Sequence, residues 1–412
     1  MNLPNPDSSH EQKVVPPPLP IDHPYPNTPS YPVIDIKDNL GSPRQSLLKR
    51  LLVGTFLMIE WLFGMVSMVC ALAILAAIPI IQFLSLGYML EASARVAKSG
   101  RIRDGFIGIR TASHLGGAVF AVWFLLLPIR YLSNVAYSAQ IIIPDGTSAA
   151  KLRFWVLLMT ILAGLHIVFA LARGGRLRHF FWPLNFITIY RQVKAGGSYS
   201  KARDATWDFI NELRLPYYFW LGLRGFLAAF FWLVLPATLL ALGQMRNPFS
   251  PVVGFSGALL LAVVALHLPL LQAQMAIKNR FGAAFDWREA RRAFNLAPWA
   301  CSFALVITLI FALPLYLLKI EVIPQEALWL PTLLFIIFIF PSRIATGWAL
   351  YRTRIRESPR HWFFRWTGRV PLLPTTVVYL LFVFFSQYTN WNGIASLYEQ
   401  HAFLLPVPFL GL

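Results

Sequence analysis

Charge is what this sequence has least of. Only 13% of its 412 residues are charged, against about 25% in an ordinary soluble domain. Acidic residues are the scarcer sign, with 18 Asp+Glu against 36 Lys+Arg. Cysteine is almost missing: the two present, Cys70 and Cys301, lie inside long apolar runs, where a thiol behaves as a small inert hydrophobe. Two such thiols form neither a disulfide framework nor a CxxC motif, and no Asn-x-Ser/Thr sequon occurs. The chemical signatures are absent too. There is no GxxxxGK followed by Ser or Thr, no HExxH, no Asp-rich calcium loop and no GxSxG elbow. The sequence therefore offers no P-loop to wrap phosphates, no zinc-protease helix and no hydrolase nucleophile. Carboxylates are too sparse in the apolar runs to form a proton relay.

What is present is apolar. Hydrophobic residues make up 57% of the chain, with 33 Phe and 14 Trp, and the mean hydropathy is +0.57. This composition excludes a soluble globular, a disordered or a collagen-like protein. A helix needs about 20 apolar residues to cross a bilayer core of about 30 Å. Eight such runs are legible, at 61–90, 115–138, 153–172, 216–242, 251–277, 297–318, 328–350 and 371–389. They are apolar all round and lack the alternation of a barrel strand. The expected fold is all-α, a polytopic transmembrane bundle of about eight spans over 61–390. Residues 1–43, of which 11 are Pro, read as a disordered tail, a spacer or a polyproline II ligand. Residues 44–60 read as an interfacial or short membrane helix, and 391–412 as a hydrophobic C-terminal tail.

Loop charge gives an orientation. Segments 91–110, 173–214, 276–292 and 343–369 carry net charges of +3, +5, +3 and +6, while the alternate connections are nearly neutral. The positive-inside rule expects the basic loops 91–110, 173–214, 276–292 and 351–369 in the cytoplasm, with the chain in a bacterial inner membrane. The first run resists this scheme. The 40 apolar residues of 51–90 would form one helix of about 60 Å, twice the core. A single crossing over 61–90 leaves the tail outside, with Arg44, Lys49 and Arg50 on the wrong side. Two passes keep it inside but need a turn near Cys70–Ala73, where no turn residue stands. An interfacial helix over 44–60 is the third option.

The odd spans resemble one another at their inner ends, in Pro79-Ile-Ile-Gln82, Pro269-Leu-Leu-Gln272 and Pro341-Ser-Arg343. Their partner spans carry Pro128, Pro236 and Pro314. This reads as quasi-repeated helical hairpins. The plainer alternative is that Pro is common in membrane helices, where neighbours satisfy the freed carbonyl.

Arginines and aromatics are interleaved in the basic loops. Asp286 can cap a helix with Glu289 in the capping-box position, and Trp287, Ala290, Phe294 and Ala297 then share one face. Ser200 can likewise open a helix across 201–214. These segments read as interfacial helices, and Arg103, Trp287, Arg291, Arg292, Trp362, Arg365 and Trp366 are the candidate lipid-headgroup contacts. Nucleic acid is a poor fit, because the charge is split among four membrane-tethered loops. Five polar residues sit within spans: His166, Arg224, His267, Gln272 and Arg343. Each is a functional candidate, since burial in hydrocarbon is costly. The plainer alternatives are that the arginines snorkel, that the histidines are hydrogen-bonded packing residues, and that Gln272 bonds a carbonyl freed at the Pro269 kink. Two histidines without a third ligand do not make a metal site, so no metal or cofactor is expected.

Leu86-Gly87-Tyr88-Met89-Leu90, followed by the basic stretch Arg95–Arg103, resembles uncharacterised bacterial multi-pass membrane families whose first hairpin carries Gly-Tyr before a basic run. The resemblance covers about the first quarter of the chain and implies a membrane fold without an assigned activity. Three functions are consistent with these features. The first is a non-enzymatic membrane protein that contacts anionic headgroups or a membrane partner. The second is a transporter with a midplane site. The third is a lipid-modifying enzyme, for which neither nucleophile nor metal is visible.

Overall fold

A computed structural model describes residues 47–142, 146–175, 177–182, 194, 203–204, 207–208, 210–317, 329–389 and 393–399. The Pro-rich tail, the helix expected across 201–214 and most of the C-terminal tail lie wholly or largely outside these residues. The chain divides into two units, 1–57 and 58–412. Of the first, only residues 47–57 are described, and they open a helix. All other described residues belong to the second.

The described residues are all-α, and eight helices are long and apolar enough to cross a membrane. The long helices are α1 (Leu47–Ala77), α2 (Gln82–Ser99), α3 (Ile109–Ile142), α4 (Thr147–Ala172), α6 (Leu215–Leu242), α7 (Ser250–Lys278), α9 (Pro298–Leu317), α10 (Trp329–Arg354) and α12 (Leu372–Thr389). Shorter helices are α5 (Leu177–Phe181), α8 (Trp287–Leu296), α11 (Trp362–Thr367) and α13 (Ser396–Glu399).

The expected first span, 61–90, is not one helix. It breaks at Ile78–Ile81, and α2 folds back along α1. The Ser85 hydroxyl donates to the Leu72 carbonyl at 2.8 Å, and the Tyr88 hydroxyl meets the Met68 sulfur at 2.7 Å. Pairs whose numbers rise on one helix as they fall on the other define an antiparallel hairpin. The turn comes later in the chain than the two-pass option required. Pro79 supplies the stop by withholding a backbone N–H, and Ile80 takes the left-handed conformation at φ 69°. The turn meets much of its own hydrogen-bonding need: Ile81 N–H donates to Pro79 and Gln82 N–H to Ile78. At this position the likeness to Pro269 and Pro341 ends, since those two prolines lie inside continuous helices. Pro128, Pro236 and Pro314 also lie inside helices.

Helix α2 is central and buried along most of its length. Gly87 of α2 and Gly222 of α6 face each other so closely that a Cβ on either would overlap the opposite backbone, at Tyr218 or Phe83. Small residues are how membrane helices approach this closely. On another side, Gly347 of α10 packs on the Ser93 backbone. Because protein rather than lipid surrounds α2, it can hold Gln82, Ser85, Glu91 and Ser93. Glu91 is engaged by Arg95 Nε at 3.0 Å and by the Tyr217 hydroxyl at 2.7 Å. Helices α3 and α4 pair with each other over a small cluster of Ala121, Ala170 and Phe180.

Candidate functional site

The α8–α9 corner is set by local chemistry. The Asp286 carboxylate accepts from the Glu289 N–H at 3.2 Å and starts α8, as the capping pattern predicts. Glu289's own carboxylate pairs with Lys278 rather than closing the box. Ala290, Ala293 and Leu296 bury the inner face of α8, and Pro298 opens α9. Against this corner the 355–361 loop is held at two points. Arg360 N–H donates to the Asn295 carbonyl at 3.0 Å, and Arg356 Nη1 to the Leu296 carbonyl at 3.2 Å.

Between the corner, the end of α10 and α11 lies an open groove of about 400 Å³. Its apolar wall is formed by Trp299, Phe303, Trp348 and Phe364, and its charged wall by Arg352, Arg356 and Arg360. The guanidinium carbon of Arg352 sits 5.8 Å from the Trp348 ring centre, and that of Arg360 sits 5.5 Å from Phe364. Such stacking steadies a guanidinium while leaving its in-plane N–H groups free to donate. No acidic side chain lines the groove among the described residues. Burial pushes the Arg356 guanidinium pKa down, and the neighbouring charges of Arg360 and Arg352 push it further. Three cations thus share one apolar-walled groove without an anion.

None of the headgroup candidates singled out from sequence lines this groove. Arg103, Arg291 and Arg292 are exposed, and Trp362 and Trp366 stand out at 62% and 63% exposure. Arg365 is half-buried, with its Nε unpaired. Trp287 is half-buried, its ring stacked on His267 at 3.6 Å and packed on Trp232. Arg352 and Arg356 enter the sequence reading through loop charge, and Arg360 also as one of the arginines interleaved with aromatics in the last basic loop. Their spacing of four is the one local signal that points to them.

The intramembrane candidates do not converge. His166 bonds the Phe180 carbonyl at 2.7 Å, and His267 bonds Val263 at 2.8 Å; both hold their own surroundings together. Arg224 is half-buried and reaches towards the end of α7. It binds Asn279 through two nitrogens, at 3.0 Å to the carbonyl and 2.6 Å to Oδ1, and so closes the end of α7, where Asn279 is left-handed. Gln272 donates across to the Gly225 carbonyl of α6 at 3.0 Å, not to a carbonyl freed by Pro269. Arg343, by contrast, is enclosed and does not snorkel. It is 3% exposed, and neither Nη1 nor Nη2 has a hydrogen-bond partner among the described residues. Gly225 faces both Leu90 and Met275, while Tyr88 packs on Phe340 and Ser93 on Gly347. These contacts set Arg343, Gln272 and Gln274 within about one helical turn in height. The Oε1 atoms of both glutamines are unpaired as well. Among the described residues no group of three His, Cys, Asp or Glu could hold a metal ion.

The chain matches no family model, no curated protein and no solved structure.

Proposed function

We propose that this multi-pass integral membrane protein is non-enzymatic and binds anionic lipid headgroups on its basic face. The groove between α9, α10 and α11 carries the proposal: three guanidiniums, two set beside aromatic rings and the third held by the Leu296 carbonyl, with no acid among the lining residues. Arginine suits phosphate because its planar fork pairs in bidentate fashion. The apolar wall, formed at the ends of two apolar helices, suits the start of an acyl chain. Native mass spectrometry of the detergent-purified protein tests this directly. Phosphatidylglycerol should be retained and phosphatidylcholine lost as collision energy rises. Equal retention of the two lipids would refute it.

On this proposal the loops 91–110, 173–214, 276–292 and 351–369 face the cytoplasm of a bacterial cell. The α1–α2 fold-back supports that orientation, because Met58 and Ser99 leave the hairpin at one end. The single crossing that would leave the chain's start outside is then not needed.

A transport role is the second reading, favoured by Arg343. An unpaired buried guanidinium at the height of two unpaired glutamine oxygens is costly, and ionisable groups kept in membranes commonly serve ligands. Wild-type anion uptake by an Arg343→Met variant in reconstituted vesicles would remove this reading.

A further inference from the structure

We infer that the groove takes a lipid bearing two phosphate groups rather than one; this rests on the headgroup-binding proposal and narrows it. The argument starts from charge. A single phosphodiester brings one negative charge, whereas three guanidiniums meet in the groove with no acid among the lining residues. A one-phosphate lipid leaves two of them uncompensated in a partly apolar setting. A lipid with two phosphates comes closer to balance.

Hydrogen-bond supply points the same way. Each guanidinium has five N–H donors. Arg356 spends one on Leu296, while Arg352 and Arg360 are steadied through their ring faces. The donors left exceed what one phosphate accepts from two bidentate forks. The cations also come from different places. Arg352 belongs to the last turn of α10, at the end of the apolar span, while Arg356 and Arg360 belong to the loop beyond it. The Trp299, Phe303 and Trp348 wall runs beside them, where the tails of a lipid, but not a free diphosphate, bury apolar surface.

The test is a titration of the intact purified protein, read by native mass spectrometry, with cardiolipin and phosphatidylglycerol at equal phosphate concentration. Cardiolipin should bind roughly tenfold more tightly, a difference of about 1.4 kcal/mol. The Arg352→Gln/Arg356→Gln/Arg360→Gln variant should lose that preference. Arg369→Gln should keep it, since that arginine packs on Phe294 and is not among the groove's lining residues. The variants are compared only after each gives the wild-type gel-filtration profile. If the triple variant does not, the three single Gln variants, each expected to lower the preference, replace it. Equal affinities for the two lipids, or a preference unchanged in the Gln variants, overturn the inference while leaving headgroup binding standing. Failure to retain either lipid overturns headgroup binding itself. A third arm uses inorganic pyrophosphate: if it displaces cardiolipin at equal concentration, the site recognises the phosphate pair alone and the lipid assignment fails.

Discussion

The Arg343→Met substitution removes a buried charge whose terminal nitrogens have no hydrogen-bond partner among the described residues. Arg343 is 3% exposed, and both terminal nitrogens lack an acceptor. Each buried donor left unpaired costs about 1–3 kcal/mol, and replacing even a paired set of buried charges by hydrophobes of similar volume is often neutral or stabilising by about 1–4 kcal/mol. Methionine keeps an unbranched, flexible stem in the same space, so little packing is lost. The expected gain is about 2–4 kcal/mol. By the per-residue entropy of unfolding, one kcal/mol moves the midpoint of a chain this long by about 1–2 °C. The variant should therefore melt roughly 2–8 °C above wild type. The 14 tryptophans make intrinsic fluorescence in detergent a suitable readout. Arg343→Ala is the control, because it deletes the charge but leaves a cavity, and it should gain less. A midpoint several degrees lower for Arg343→Met, with Arg343→Lys unchanged, would refute the reasoning. It would mean that the guanidinium meets an anion in the working protein.

Three other outcomes are expected. Gly87→Ala and Gly222→Ala should each lower the melting midpoint by several degrees, because the added Cβ meets backbone across the α2–α6 contact. Gly164→Ala, which opens onto free space, should not lower it. Arg224→Ala should destabilise by about 1 kcal/mol through loss of the two bonds to Asn279, measured as the same midpoint shift. In a Cys70→Ala/Cys301→Ala background, a cysteine at Met58 and one at Ser99 should be labelled from the same side by an impermeant thiol reagent. Labelling from opposite sides would contradict the α1–α2 fold-back as a membrane topology.

The eight apolar helices are legible because lipid imposes one solution, a run of about 20 apolar residues with its hydrogen bonds made internally. What the run length hides is α2. Residues 82–90 continue the apolar stretch, so the segment reads as the end of a span. The fold-back depends on Pro79 and on a left-handed Ile80, and isoleucine carries no turn signal. The polar residues of α2 are the sign that run length passes over. Ser85, Glu91 and Ser93 are tolerable only in a helix wrapped by others, and Gly87 marks where the wrapping is tightest. Arg224 escapes a local reading for a related reason. Its distance from the inner loop suggests snorkelling, but a left-handed Asn279 distant in sequence offers two acceptors, and no local pattern reports that.

The headgroup candidates show what interleaving alone can identify. Arg291 and Arg292 are exposed on α8, and Trp362 and Trp366 on α11; a basic, aromatic loop predicts such placement. A groove needs more, because its walls come from different segments. Arg352 sits in the last turn of a span, where a basic residue is unremarkable beside a helix C-terminus. Arg356 and Arg360 join it only because two backbone carbonyls, at Leu296 and Asn295, hold the loop against the α8–α9 corner. Those carbonyls lie at the C-terminal end of α8, where helix carbonyls lack partners within the helix. The Asp286 cap that starts α8 therefore acts on the groove at a distance. It fixes where the helix begins, and so where its unpaired carbonyls fall, and those carbonyls then gather the arginines.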